Sequence, residues 1–196
     1  LGRSIALEVR NSASVPSNGD SVTISSGGVI LPNSTAQLSD FTISITNFVF
    51  TNWTTALRAT NVTIQAGGGL THVICDTNAA IENTNRVYII CSNLTVLGSI
   101  NANAQGFRGA VDLGPARGQG PGGARDETGG SYGGLGGGTA ANPAAPIYGS
   151  SNAPADPGSG GGGRWFNEQG GHGGGAVWIE ASGRVAVNGT ITADGL

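Results

Sequence analysis

The chain contains no lysine and no methionine, and charged residues of any kind make up only 11% of its 196 positions. Soluble proteins usually carry about a quarter, so ion pairs are not the main glue. Its nine basic residues, all arginine, stand singly from Arg3 to Arg184, and the net charge is −3. Without a basic stripe to neutralise phosphates, nucleic acid is not an expected partner. Long apolar runs are missing too. Runs such as Val87 to Cys91 fall far short of the roughly 20 residues that cross a bilayer, so no membrane span is expected. The start at Leu1 without any methionine reads as a mature or excised polypeptide.

Catalytic signatures are also absent. There is no GxSxG elbow, no HExxH and no GxxxxGK[ST]. His72 and His172 are far apart, no CxxC occurs, and the twelve acidic residues are scattered except for the adjacent Asp126 and Glu127. No metal, no cofactor and no enzymatic activity are therefore expected. The nearest thing to a cluster is GGGRWFNEQGGHGGG, which gathers Arg164, Trp165, Glu168 and His172; it reads as a hydrogen-bonded loop anchor. Only two cysteines exist, Cys75 and Cys91, each ending an apolar run. Two buried thiols would act as small hydrophobes. The expectation is instead a disulfide, which at this loop length contributes about 3 kcal/mol.

Glycine is abundant where these are scarce. Of 36 glycines, 25 lie between Gly106 and Gly175, with six of the eight prolines. On either side, apolar residues recur at every second position: Ile5, Leu7, Val9; Phe41, Ile43, Ile45; Val62, Ile64; Leu94, Val96; Val185, Val187. That period, with β-branched residues and threonine, predicts strands with one buried face, and no helical spacing runs beyond about two turns. The expected class is all-β.

The strands repeat a phrase. VYIICSNLTVLGSINAN, from Val87, aligns with VWIEASGRVAVNGTITADG, from Val177, after one extra residue at Gly183. Laying Asn61 on Asn93 sets Leu57, Ala59, Val62 and Ile64 against Ile89, Cys91, Leu94 and Val96, and Val22 with Ile24 begins a weaker fourth copy. Units of about 20–30 residues, each of short strands broken by glycine or asparagine, predict the stacked coils of a β-solenoid. The string GGGAVWIEASGRVAVNGTITADG resembles the glycine-rich parallel β-helix segments of bacterial extracellular and surface proteins. That resemblance covers Ala59 to Leu196 and implies an architecture and an extracellular location, not an activity. The first sixty residues also admit a β-sandwich with an exchanged N-terminal strand.

The expected organisation is an N-terminal strand over 1–16, a β domain over 17–105, a Gly/Pro-rich excursion over 106–175 and a C-terminal coil over 176–196. Glycine and proline favour extended polyproline-like segments. The excursion's Phe107, Tyr132, Tyr148, Trp165 and Phe166 argue against a bare linker, because linkers are poor in aromatics. They would pin the excursion, or Tyr132, Tyr148, Trp165 and Phe166 would contact a glycan or another subunit. Five sequons, at Asn33, Asn52, Asn61, Asn93 and Asn188, are glycosylation candidates; an outward Asn/Thr ladder is the alternative. The alternation of Ile5, Leu7 and Val9 makes either the first strand of its own sheet or a strand donated to the next subunit. The expectation is a secreted structural subunit of a head-to-tail homopolymer, then a surface adhesin or glycan-binding module. A polysaccharide-degrading enzyme comes last.

Overall fold

The computed structural model describes residues 4–6, 16–25, 36–75, 84–111, 117–163 and 169–196. Leu7, Val9, Asn33, Trp165 and Phe166 fall outside them, as does the side chain of Ile5. The described residues contain strands, turns and extended segments and no helix. They form two compact units, one of Leu1–His72, Val87–Asn101 and Trp178–Thr192, the other of Val73–Arg86, Ala102–Val177 and Ala193–Leu196.

Among the described residues of the first unit, successive strands along both sheets pair in parallel. One sheet runs β1 (Ser4–Ala6), β2 (Ser21–Ile24), β3 (Gln37–Ile43), β5 (Leu57–Ile64), β7 (Val87–Val96) and β10 (Val185–Val187), with β9 (Val177–Ala181) also pairing β7. The second sheet runs β4 (Asn47–Phe50), β6 (Gly69–His72), β8 (Ser99–Asn101) and β11 (Thr190–Thr192). From β3 onward the chain supplies one layer to each sheet in turn: β3 then β4, β5 then β6, β7 then β8, β10 then β11. The aligned phrases are neighbours in this stack. Leu57, Ala59, Val62 and Ile64 pair Ile89, Cys91, Leu94 and Val96, and Val185, Val187 and Ile191 pair Leu94, Val96 and Ile100.

The register builds rows of like residues. Ile5, Val22, Phe41, Val62, Leu94 and Val185 occupy one row, and Ile24, Ile43, Ile64, Val96 and Val187 another. The members from Val22 to Val96 are buried, as period-two alternation with one face inward requires. Phe41, Phe48 and Phe50 seal one region by edge-to-face contacts with centroids 5.2 Å apart. Ile45 departs from the expected alternation: it lies beyond β3, is 69% exposed, and belongs to the turn.

Two features of the phrase now have causes. Gly68, Gly98 and Gly189 stand where the chain turns from one sheet to the other, and a Cβ there would come within 2.5, 2.2 and 2.0 Å of a backbone carbonyl oxygen in the adjoining layer. No side chain fits such an approach. Second, the alternation slips once in each long strand, at Ser39–Asp40, Thr60–Asn61 and Ser92–Asn93, where two successive residues lie outside the core. The slips lie at the same height in three layers, which makes them one polar corner.

The second unit is built differently. Phe107 donates its N–H to Gly158, Gly158 to Gly174 and Gly173 to Phe107; three residues along, Ala110 donates to Gly161, Gly161 to Gly171 and Gly170 to Ala110, all at 2.8–3.0 Å. The repeat of three equals the period of a polyproline-II chain, and these segments bond laterally without forming strands. Spacing is set by absent side chains: a Cβ on Gly109, Gly170 or Gly173 would sit 1.9, 2.0 or 1.9 Å from a carbonyl oxygen of the next segment. The extra residue at Gly183, in the first unit, separates β9 from β10, its N–H donating to the Ser92 carbonyl at 2.8 Å.

Ser4–Ala6 pairs with β2 of its own sheet, the first of the two readings offered for that strand. The cysteine expectation needs correction. The Cys75–Cys91 disulfide is not formed; each is a buried thiol. Cys91 is held in β7 beside Ala59, while Cys75 bridges Phe107 and directs Sγ to the Asn85 carbonyl at 3.7 Å. Strand pairing fixes each thiol where its own packing needs it, and burial pushes the Cys91 thiol pKa up.

Candidate functional site

The polar corner of the first unit carries a continuous side-chain column. Asp40 accepts from Ser21 Oγ at 2.9 Å, Ser39 Oγ at 3.1 Å and Asn61 Nδ2 at 2.8 Å. Asn93 Nδ2 then donates to Asn61 Oδ1 at 2.9 Å, and the Arg184 N–H donates to Asn93 Oδ1 at 3.1 Å. The bond from Asn61, with those from Ser21 and Ser39, holds the Asp40 carboxyl below its usual pKa against a weaker opposing effect of burial. Sequon nitrogens at Asn61 and Asn93 are thus donors in a ladder, which accounts for both asparagines without a sugar. Asn52 accepts the Thr55 N–H at 2.6 Å in a turn, and Asn188 is exposed between β10 and β11.

A second cluster was not singled out from the sequence. Tyr88 of β7 and Trp178 of β9 direct their polar atoms to one oxygen, Glu180 Oε1, at 2.8 and 2.9 Å. Trp178 nevertheless stays 38% exposed. The signal was available: Tyr88 and Trp178 coincide when the two phrases are aligned, and Glu180 follows two residues on, hence on the same strand face. Beside it lies a groove of about 390 Å³ lined by Gln37, Ile90, Ser92, Glu180 and Ser182 among others.

In the second unit the sequence-predicted contacts Tyr132 and Tyr148 are mutual partners, rings edge-to-face at 5.0 Å. The Tyr132 hydroxyl accepts the N–H groups of Ala155 and Asp156 at 3.0 and 3.1 Å, and the Tyr148 hydroxyl donates to the Pro157 carbonyl and accepts from Ser159 Oγ at 3.0 Å. Burial drives the Tyr148 hydroxyl pKa well above its usual value. These rings tie loops together. His172, with Nδ1 buried and lacking a hydrogen-bond partner, lines a cleft of about 520 Å³ walled mainly by glycine. Among the described residues no group of three His, Cys, Asp or Glu side chains could hold a metal ion, and no helix is long and apolar enough to cross a membrane.

A third feature is the end of the stack. Along one inward row the exposures are 4% at Val22, 2% at Phe41, 1% at Val62 and 0% at Leu94, then 50% at Val185. Ile100 and Ile191 repeat this in the other sheet, at 0% and 40%. β10 and β11 are the end strands of their two sheets among the described residues, and they keep the register of the layers before them.

Compared with known proteins, residues 9–97 match the model of the G8 domain. The match takes in β2 to β7 and a little under half of the chain. No curated protein and no solved structure matches the chain.

Proposed function

We propose that this chain is a non-enzymatic structural module of an extracellular assembly, a β-solenoid whose copies stack head to tail. The observation that carries the reading is the row ending in half-exposed Val185 after four buried members. A solenoid explains why successive strands alternate between two parallel sheets in constant register, whereas sandwiches are built mainly of antiparallel pairs.

In this proposal a second copy of the same chain is what pairs with β10 and β11. In an all-parallel sheet the two outer edges present complementary N–H and C=O groups, so a copy translated along the stack brings β1 against β10 in the same parallel sense as every internal pair. Ile5 holds the row position that would fall over Val185. Such a heterologous contact leaves one edge open at each end and gives filaments when rotation does not close it. Unpaired edges otherwise invite uncontrolled association. The extracellular placement and glycosylation at exposed sequons such as Asn188 belong to the same proposal.

Negative-stain microscopy of the purified chain tests it. Rods that lengthen with concentration, and that Val185→Asp abolishes while circular dichroism stays unchanged, are the expected outcome. A wild-type chain that stays monomeric at every concentration, or a variant that assembles normally, overturns it.

A further inference from the structure

We propose that the Tyr88–Trp178–Glu180 cluster and its adjoining groove form a binding site for a neutral pyranose chain, independent of the stacking end. Three observations meet there. The Glu180 carboxylate anchors both aromatic side chains through a shared oxygen, at 2.8 Å from Tyr88 and 2.9 Å from Trp178, so ring orientation is set before any ligand arrives. Preorganised rings lose little conformational freedom on binding. Trp178 retains 38% of its surface, a large share for an aromatic whose polar edge is already satisfied.

The groove supplies the rest of the chemistry. Its Gln37, Ser92, Glu180 and Ser182 offer amide, hydroxyl and carboxylate groups beside the apolar side chain of Ile90, within about 390 Å³, a volume in the usual range for small-ligand sites. Gln37 pairs Arg58 and Arg58 pairs Ile90 in the register, so planar amide and guanidinium groups sit at successive positions on the strands leading to the groove. A pyranose ring presents an apolar face of C–H groups and a rim of hydroxyls. The first suits the electron-rich face of an indole; the second suits groups that donate and accept in a plane. Glu180 is the one charged residue lining the groove, which disfavours an anionic sugar and leaves a neutral one.

The test is titration of the full chain with cellohexaose, mannohexaose and xylohexaose, and with a polygalacturonate oligomer as the anionic comparison, read by tryptophan fluorescence and calorimetry. A neutral oligosaccharide should bind with a Kd below about 1 mM. Trp178→Ala should weaken it at least tenfold with unchanged circular dichroism, and Trp178→Phe, which keeps a stacking face, should weaken it less. Val185→Asp should leave binding intact, which separates this site from the stacking end. Failure of all three neutral probes, tighter and salt-sensitive binding of the polygalacturonate, or equal affinity in Trp178→Ala overturns the proposal.

Discussion

The two units solve the same problem with opposite means. In the first, layers are held apart and together by side chains: Phe41, Val62 and Leu94 stack in register and bury nearly all their surface. In the second, segments approach until nothing but hydrogen fits between them, as at Gly109, Gly170 and Gly173, and lateral N–H to C=O bonds recur every third residue. Side-chain packing tolerates a missing methylene at a cost. Backbone packing has no such slack, because an added carbon must displace a neighbouring chain.

The sharpest way to break this comparison is therefore an addition in the second unit. Gly173→Val, whose Cβ alone would fall 1.9 Å from the Gly158 carbonyl oxygen, should destabilise that unit by more than about 4 kcal/mol. Trypsin cleavage at Arg117 and Arg125 under native conditions, slow in the wild type, should become rapid. Equal cleavage of both proteins would show that glycine is not required there.

A deletion in the first unit should cost less. Leu94→Ala, at a site with no exposed surface, is expected to lose about 2–5 kcal/mol in urea unfolding. Its row neighbour Val185, half exposed, should lose under about 1 kcal/mol on replacement by alanine in the dilute chain. Similar losses at both positions would mean that the last layer is as well covered as the others.

Tyr148→Phe addresses the loops. It removes the hydroxyl that joins Pro157 and Ser159 and should cost about 1–2 kcal/mol, visible as a lower unfolding midpoint. The smallest expected effect is electrostatic. Asp40 has a depressed folded pKa, so its contribution is fully present above the unfolded carboxylate value of about 3.9 and is lost as pH falls through the lower folded value. Asp40→Asn should flatten part of the stability profile between about pH 5 and pH 2; an identical profile would remove the carboxylate from the account of the corner.

Much of the first unit could be read from residues because it is written in side chains. Aligning Asn61 with Asn93 already yields the register of β5 on β7, since inward apolar and outward polar positions must coincide between stacked layers. The layer of Phe41 to Phe50 was harder to see as a copy, as it lacks the turn glycine and carries Thr46 at that place. The disulfide was misread for a related reason: two cysteines ending apolar runs look alike in sequence, whereas their strand pairing assigns them separate environments. In the second unit glycine leaves no period to read. The lateral bonding of its segments is carried by backbone atoms that every residue shares, and among the described residues Tyr132 and Tyr148 mark where loops are tied.

The central claim is that the row ending in Val185 is completed by another copy. Hydrogen exchange of peptides covering Val185 to Thr192, followed by mass spectrometry over a wide range of protein concentration, tests this most directly. The account predicts fast exchange in the dilute chain and marked protection at high concentration, absent in Val185→Asp, while β5 and β7 remain protected throughout. Exchange in those peptides that is independent of concentration would contradict it.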